Sequence, residues 1–366
     1  MVKKVKVDLQ NNCHSIIIGN ATVGEISKYL PKNIMTDSSS VHIFFDGKLK
    51  VTAESLRSNF RMKFKNVYLY PISVSESFKQ MDNIVKCYEK LMKNKCDRQS
   101  LLVALGGGVI GDSIGFVAAT FMRGISWISI PTTVLAQVDS GIGGKTGVNL
   151  PCGKNLVGAF WQPSLVVCDI SFLKTLGKRD IYSGLGEIIK YALIFDLKFF
   201  RYIEKNWSEI LERDETIWMY CIAKCAKLKA NVIGEDERDL KGLREVLNFG
   251  HTFGHALEGL TDYGKFRHGE AVLWGMKIAT YLSNQIDMLN DEDCERILSL
   301  ISRLNIPRIP KELKIDDIMA SISRDKKTSK GVTRFVLLET IGTSKVVKKI
   351  DKKLVRSAID VFLSSK

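Results

Sequence analysis

A short apolar run that leads directly into a glycine-rich turn constrains the fold of this chain most. Ser100 to Leu105 is a continuous apolar segment of strand length, which is typical of a strand buried on both faces of a parallel sheet. The segment continues as Gly106-Gly-Gly-Val-Ile-Gly-Asp112, and a helical pattern follows. We therefore predict a strand, a tight turn and a helix, which together form the repeating unit of an α/β sheet.

The same turn carries a weak signature of dinucleotide binding. Gly106, Gly108 and Gly111 match G-x-G-x-x-G, in which absent side chains let backbone amides and a helix N-terminus approach a pyrophosphate. An acidic residue that would bind a ribose about 20 residues further on is absent, because Ser126-Trp127-Ile128 stands there. A dinucleotide at this turn is therefore not expected to bind in the usual Rossmann manner.

The remaining patterns divide the chain near residue 180, which fits a length of 366 residues, more than one core usually supports. Before this point, helical patterns alternate with short apolar runs at 15–18, 41–46, 66–69 and 127–130. After it, the patterns predict long helices at 184–194, 214–232, 271–289 and 291–304, a hairpin of 333–338 with 345–350, and a closing helix from 352. We predict an α/β domain over 1–180 and a mainly α-helical domain over 181–366.

A second glycine-rich block extends from Asp139 to Asn149 and is followed by Gly153-Lys154-Asn155. It contains Gly144-Lys145-Thr, but the P-loop spacing G-x-x-x-x-G-K-[ST] is absent, because Asp139 stands five residues before Gly144. We therefore exclude hydrolysis of nucleoside triphosphates. The two lysines lie close to acidic and amide side chains and are candidate ligands of a phosphate or a carboxylate.

Three of the five histidines lie between Leu247 and Glu270. His251 and His255 are four residues apart, so in a helix both project from one face, and His268 follows. Two interpretations stay open: a transition-metal site completed by a carboxylate such as Glu187, or a buried helix whose histidines are hydrogen-bonded. A zinc protease of the His-Glu-x-x-His type is excluded, because Thr252 occupies the position of the general base.

The composition of the chain limits which kinds of binding partner and which cellular compartment we expect. The formal charge is +14, but the lysines are scattered and form no basic stripe interleaved with aromatic residues, so we predict no nucleic-acid partner. No run approaches the ~18 apolar residues of a membrane span, and the N-terminus has no apolar signal region. The eight cysteines have no dense regular spacing and indicate reduced thiols. We therefore predict a cytoplasmic protein without a membrane partner.

Several motifs occur in order along most of the chain. They are Gly106 to Asp112, Met122-Arg-Gly124, Ile130-Pro-Thr-Thr133, Asp139 to Lys145, Gly153 to Phe160, Gly186-Glu-Ile-Ile-Lys190, Asn248-Phe-Gly-His-Thr-Phe-Gly-His255 and His268-Gly-Glu270. Each is weak alone, but their joint occurrence at compatible spacings resembles the 3-dehydroquinate synthase family. The resemblance implies an N-terminal dinucleotide-binding α/β domain, a mainly α-helical C-terminal domain, a homodimer, and NAD and Zn²⁺ as cofactors, with Co²⁺ as an alternative ion.

The resemblance also implies roles for individual residues. Metal would be bound by Glu187, His251 and His268, and His255 would transfer a proton. NAD would be contacted by Glu76, Lys79, Gly107, Gly108, Asp112, Thr132, Thr133, Asp139, Lys154, Thr175 and Leu176. The substrate would be contacted by Arg123, Lys145, Asn155, Lys190, Lys229, Arg244, Asn248 and a lysine of the pair Lys326 and Lys327, of which we select Lys327. The sequence departs from the family at Ser75, where a glycine usually precedes the glutamate, and at Gly177, where a proline is usual.

The implied reaction converts a phosphorylated keto acid, 3-deoxy-D-arabino-heptulosonate 7-phosphate, to 3-dehydroquinate and phosphate. NAD would be reduced and reoxidised within one turnover, phosphate would be eliminated, and an aldol step would close the ring. The cations predicted for the C-terminal domain exceed the needs of one phosphate and favour an acid substrate. The alternatives are a sister cyclase that makes an inosose or a valiolone, a metal-dependent polyol dehydrogenase, and a basic binding module with a structural metal. The last would need a fourth protein ligand.

Overall fold

The computed structural model describes residues 2–9, 12–37, 39–324 and 333–364. The chain forms two compact units. One unit combines Met1–Leu176 with Arg213–Arg238, and the other combines Gly177–Glu212 with Asp239–Lys366. Strands and helices are numbered below along the whole chain.

The described residues of the first unit form nine strands. They are β1 (Val2–Val7), β2 (His14–Gly19), β3 (Val41–Asp46), β4 (Val67–Ile72), β5 (Leu101–Gly106), β6 (Ser126–Pro131), β7 (Lys145–Leu150), β8 (Gly153–Phe160) and β9 (Leu165–Asp169). Seven of them form one sheet in the order β1-β2-β9-β6-β5-β3-β4, in which only the β1–β2 pair is antiparallel. Strands β7 and β8 form a separate antiparallel hairpin. Of these strands, β1, β7, β8 and β9 were not predicted.

The central strand β5 is buried on both faces, as its continuous apolar run predicted. Successive side chains of a strand point to opposite faces. Val103 and Leu105 accordingly join the core on one face, and Leu102 and Ala104 join the core on the other. The helices of this unit are α1 (Lys32–Asp37), α2 (Lys50–Arg61), α3 (Met81–Lys93), α4 (Gly108–Thr120) and α8 (Glu215–Glu235). Helix α2 packs in the first core and helices α3 and α4 pack in the second, which completes a parallel sheet covered on both faces.

Helix α8 departs from the predicted domain division. The sequence analysis assigned all of 181–366 to a helical domain, whereas 213–238 belongs to the first unit. The helix packs against strands β1 and β2, and it buries Trp218, Ile222, Ala226 and Ile233. Helical periodicity reveals that such a segment has an apolar face, but it does not reveal which partner covers that face.

The second unit is mainly helical. Its helices are α5 (Lys178–Phe195), α6 (Leu197–Lys205), α7 (Trp207–Glu212), α9 (His251–Leu260), α10 (His268–Gln285), α11 (Asp291–Ser302), α12 (Ile315–Arg324) and α13 (Lys352–Ser364). The predicted hairpin is present as β10 (Arg334–Thr340) with β11 (Thr343–Lys348). Helix α10 is central, because α5, α9, α11, α13 and β10 all pack against it. These observations confirm the predicted fold class. Within the described residues, no helix combines the length and the apolar character that crossing a membrane requires.

Candidate active site

Helices α5 and α10 touch backbone to backbone beside two of the predicted metal ligands. A Cβ atom on Gly269 would lie 1.8 Å from the carbonyl oxygen of Ser183, and a Cβ atom on Gly186 would lie 2.7 Å from the carbonyl oxygen of Gly269. The amide of Gly269 also donates a hydrogen bond of 3.0 Å to Ser183 Oγ. Glu187 and His268 are the sequence neighbours of these glycines, so the close crossing brings their side chains together.

A second close crossing positions the histidines of helix α9. Gly250 precedes this helix with a φ of +77°, a conformation that glycine adopts most readily. Its carbonyl oxygen would lie 1.9 Å from a Cβ atom on Gly275 of helix α10. Gly254, one turn further along α9, would likewise place a Cβ atom 3.1 Å from the carbonyl oxygen of Ala271. His251 follows Gly250 directly, so this crossing holds its imidazole against α10.

The three predicted metal ligands form one cluster. Glu187 Oε1 lies 3.7 Å from His251 Nε2 and 3.8 Å from His268 Nε2. The three ligand atoms all lie within 4.8 Å of one another. The ring of His255 lies 5.4 Å from that of His251 and 5.9 Å from that of His268, measured between ring centroids. The structure therefore brings together all four residues for which metal binding or proton transfer was predicted.

The hydrogen bonds of the cluster suit a divalent cation. His251 Nδ1 lies 3.1 Å from the carbonyl oxygen of Phe249, and His268 Nδ1 lies 3.2 Å from Glu258 Oε2. Because both partners are acceptors, we assign the proton to Nδ1 in each ring, which leaves Nε2 unprotonated. Glu187 Oε1 is buried and receives no hydrogen bond from the described part of the chain. Two imidazole nitrogens and one buried carboxylate oxygen are a ligand set that fits Zn²⁺.

Buried charges surround this cluster. Lys190, one helical turn after Glu187, forms an ion pair with Oε2 of that carboxylate, and both side chains are almost fully buried. Burial disfavours the charged form of His268, but the hydrogen bond and charge of Glu258, with the charge of Glu187, outweigh it and raise the pKa of His268. Metal must therefore displace a proton from this ring at low pH.

Two further predicted substrate residues lie just before helix α9, on the 3-10 turn Leu243–Asn248 that packs against helix α5. Arg244 is buried, and Asn248 Nδ2 donates a hydrogen bond of 3.1 Å to the carbonyl oxygen of Glu245. The predicted contacts Lys326 and Lys327 lie outside the described residues.

In the first unit, the glycine-rich turn lies at the carboxyl ends of neighbouring parallel strands, which is where α/β sheets bind ligands. The amide of Thr132, which follows strand β6, donates a hydrogen bond of 3.0 Å to the carbonyl oxygen of Gly106, the last residue of strand β5. A Cβ atom on Gly107 would lie 3.1 Å from Thr133 Cγ2, so this residue has little room for a side chain. Helix α4 begins at Gly108 and points its N-terminus at this edge.

A buried lysine joins several predicted NAD contacts. Lys79 Nζ lies 2.7 Å from Asp112 Oδ2 and also contacts Asn155 Oδ1. Burial raises the pKa of Asp112, although the charge of Lys79 acts in the opposite direction. Glu76 lies on the same 3-10 turn as Lys79, and Lys154 Nζ is 3.8 Å from its carboxylate. The turn Glu76–Lys79, helix α4 and the β7–β8 hairpin thus meet at one charged cluster.

Asp139 and Lys229, predicted to contact NAD and substrate respectively, contact each other. Lys229 Nζ donates hydrogen bonds of 2.7 Å to both the carboxylate and the carbonyl oxygen of Asp139. Lys229 lies on helix α8, which belongs to the first compact unit, whereas the sequence analysis placed this residue in the helical domain. Its role toward substrate stays a prediction.

Four predicted residues lie away from these clusters. Thr175 Oγ1 donates to the carbonyl oxygen of Phe172, and the carbonyl oxygen of Leu176 accepts a hydrogen bond from Arg213. Arg123 is exposed beyond the end of helix α4. Lys145 pairs with Phe160 in the β7–β8 hairpin. Because Asn155 is five residues from Phe160 along strand β8, the hairpin separates the backbones of Lys145 and Asn155 by roughly 16 Å at a rise of about 3.3 Å per residue.

The sequence analysis missed two features of the site. Glu258 contacts His268, and the only available signal was its position three residues after His255 on a predicted helix. Asn149 donates a hydrogen bond of 2.7 Å to Glu76 and accepts one of 2.9 Å from the amide of Asn155. None of these three contacts follows from local spacing, because each joins different elements.

Comparison with known proteins gives matches over nearly the whole chain. The family models for the N-terminal and C-terminal domains of 3-dehydroquinate synthase match residues 69–183 and 184–328. The 3-dehydroquinate synthase of Desulforamulus reducens is 41% identical over 354 residues, which cover 94% of this chain and 96% of that protein. The enzyme of the same name from Idiomarina loihiensis is 40% identical and covers 97% of this chain and 98% of its own length.

The fold also matches that of a solved enzyme structure. The 2-epi-5-epi-valiolone synthase of Streptomyces hygroscopicus subsp. jinggangensis, solved with NAD⁺ and Zn²⁺ bound, superposes with a TM-score of 0.87. The match covers 98% of this chain and 99% of that one at 24% sequence identity. At this identity the similarity establishes the fold alone.

Proposed function

The chain belongs to the 3-dehydroquinate synthase family, and we propose that it converts 3-deoxy-D-arabino-heptulosonate 7-phosphate to 3-dehydroquinate and phosphate. One observation carries the proposal: Glu187, His251 and His268 converge with His255 beside them. Three protein ligands leave coordination positions open, which a catalytic metal site needs and a structural one does not. The lyase reaction also requires a nucleotide site, and the turn at the carboxyl end of strand β5 is suited to one.

NAD and Zn²⁺, with Co²⁺ as an alternative ion, are the cofactors we propose, and the valiolone synthase with its bound NAD⁺ and Zn²⁺ supports this assignment. When bound, NAD supplies a reversible hydride acceptor, and the divalent ion polarises a substrate hydroxyl. Glu187, His251 and His268 would hold the ion. NAD would be held by Glu76, Lys79, Gly107, Gly108, Asp112, Thr132, Thr133, Asp139, Lys154, Thr175 and Leu176.

His255 is the proposed proton-transfer residue. It is the exposed member of the histidine group, so its imidazole can exchange a proton with substrate and with solvent. Its ring lies 5.4 Å from that of His251, within reach of a hydroxyl group that approaches the cluster. Lys190 would keep a positive charge beside Glu187 and favour an anionic substrate.

The other substrate contacts divide by the group they would bind. We assign the carboxylate to Arg244, Asn248, Lys229 and Lys327. We assign the phosphate to Arg123, Lys145 and Asn155, although Lys145 and Asn155 lie apart along the β7–β8 hairpin, so that Lys145 would have to extend its side chain toward the phosphate. Guanidinium and ammonium groups bind both kinds of anion, and Arg244 is buried, where such a charge interacts strongly with an anion.

We further propose a homodimer that acts in the cytoplasm. Leu156, Val157 and Phe160 of strand β8 are exposed apolar side chains that a second copy of the chain would cover. All eight cysteines are free thiols, and six of them are buried, which supports a reducing compartment.

Phosphate release tests the proposed reaction. The enzyme is incubated with Zn²⁺, a small amount of NAD and the seven-carbon keto acid phosphate, while phosphate and absorbance at ~340 nm are followed. We expect phosphate in many-fold excess over NAD with no accumulation of NADH. NADH formed in proportion to product would instead indicate a polyol dehydrogenase. Turnover of a neutral sugar phosphate but not of the acid would indicate a sister cyclase.

His255→Gln supplies a matched control for this assay, because it removes the proposed proton acceptor and leaves the three metal ligands in place. We expect this variant to release phosphate about 100-fold or more slowly than wild type, the usual range for loss of a general base. Its zinc content should equal that of wild type.

A further inference from the structure

We propose that Glu258 is a positioning residue that fixes the imidazole of His268 for metal binding. This inference rests on the metal site in the proposed function. The carboxylate of Glu258 lies 3.2 Å from His268 Nδ1, and its side chain is 11% exposed. A buried carboxylate beside a ring N–H is the arrangement that fixes histidine ligands in metal sites.

The geometry gives Glu258 access to two functional histidines. Residues 251, 255 and 258 are spaced by four and three along helix α9, so their side chains share one face. The ligand atoms of His255, Glu258 and His268 lie within 4.8 Å of one another. Glu258 therefore lies between the proposed metal ligand on helix α10 and the proposed proton-transfer residue on its own helix.

The contact determines which nitrogen of His268 can bind a metal. A carboxylate accepts a hydrogen bond, so it stabilises the tautomer with the proton on Nδ1. Nε2, which lies 3.8 Å from Glu187, is then unprotonated. The negative charge of Glu258 also makes Nε2 of the ring a stronger electron-pair donor to a metal ion. Loss of such a partner typically weakens metal binding by about 10–100-fold.

The same three residues also define a competing arrangement, in which Glu258 itself binds the ion with His255 and His268. We favour the positioning role because Glu187 is fully buried with an oxygen that accepts no hydrogen bond from the described residues. Lys190 pairs with Oε2 of this carboxylate, but a buried Oε1 that accepts no hydrogen bond is costly, and a metal ion would satisfy it. The two arrangements predict opposite effects of substitutions at Glu187 and Glu258.

The primary test measures zinc affinity by competition with a chromophoric chelator, without NAD or substrate. Glu258→Ala should bind zinc 10–100-fold more weakly than wild type. Glu258→Gln should lose less, because its amide oxygen still accepts the Nδ1 hydrogen bond. Glu292→Gln, at an exposed position in the first turn of helix α11, is the control and should bind zinc like wild type. Wild-type affinity in both Glu258 variants overturns the proposal.

Two further measurements separate the possible failures. If Glu258→Ala abolishes zinc binding while Glu187→Ala retains it, Glu258 is a ligand and the positioning role is wrong. In the metal-free protein, ¹⁵N NMR of the His268 ring should report a proton on Nδ1, and Glu258→Ala should shift the tautomer toward Nε2. The measurement is made at a pH at which the His268 ring is neutral, because the imidazolium carries a proton on both nitrogens. A neutral ring with its proton on Nε2 in wild type overturns the positioning role, whereas a correct tautomer without zinc binding overturns the metal assignment in the proposed function.

Discussion

His42 gives the first unit a stability that depends on pH. It lies on strand β3 and is fully buried. Its Nε2 is hydrogen-bonded to Ser40 Oγ and its Nδ1 to Tyr70 Oη, each at 2.9 Å. Ser40 Oγ is in turn hydrogen-bonded to Ser100 Oγ, which donates a hydrogen bond to the carboxylate of Asp97. Burial lowers the pKa of His42 to about 4, although the charge of Asp97 acts in the opposite direction.

The sign and size of the effect follow from this pKa. The ordinary pKa of the imidazole is 6.5, so below pH 6.5 the unfolded chain binds a proton that the folded chain excludes until about pH 4. The contribution of His42 to the unfolding free energy is therefore fully present above the unfolded-state pKa and is lost as pH falls toward the folded-state pKa. The linkage relation gives a loss of about 2 kcal/mol between pH 7 and pH 5, and about 3 kcal/mol by pH 4.

Urea unfolding of wild type and His42→Gln at pH 7 and pH 5 measures this contribution, with hydrogen exchange of strand β3 as the reporter of the first unit. At pH 7 the variant should be less stable by about 1–3 kcal/mol, because Tyr70 or Ser40 loses a buried hydrogen-bond partner. At pH 5 the difference should shrink by about 2 kcal/mol, because only wild type has lost stability through His42. An equal difference at both pH values would refute the depressed pKa of His42.

Three other substitutions test the site. Gly269→Ala should destabilise the second unit and abolish zinc binding, because its Cβ atom would lie 1.8 Å from a carbonyl oxygen of helix α5. Calorimetry measures the stability, with Gly259→Ala as the control. The nearest neighbour of a Cβ atom on Gly259 lies at 3.9 Å, so this control should be at least as stable as wild type. His268→Ala should retain its circular dichroism spectrum and lose bound zinc, measured by elemental analysis. Lys229→Met should lower the unfolding free energy of the first unit by about 3 kcal/mol, measured by urea denaturation, because it removes the buried ammonium group that pairs with Asp139. The double variant Lys229→Met with Asp139→Asn should lose less, because it removes both charges of the pair.

Patterns within one element were predictable from spacing alone, whereas the contact between Glu187, His251 and His268 was expected only from the family resemblance and other contacts between elements were not predicted. Strand β5 was predicted because its buried run is continuous, and the β10–β11 hairpin was predicted from two apolar runs joined by a short turn. Strand β8 was missed because most of its side chains are exposed, so it has no apolar periodicity. The pairing of Lys229 with Asp139 was missed because 90 residues separate them and only the packing of helix α8 brings them together.

The histidine segment shows where sequence reasoning reached its limit. A spacing of four places His251 and His255 on one helix face, and by itself it favours neither a shared metal nor two hydrogen-bonded rings. In the structure, the carboxylate near His251 comes from helix α5, and it also faces His268, the first residue of helix α10. This convergence needs both crossings, and each is made by glycines that lack the atom that would separate the helices. The glycines next to Glu187, His251 and His268 therefore belong to the proposed metal site as much as its ligands do, because larger residues would move the ligands apart.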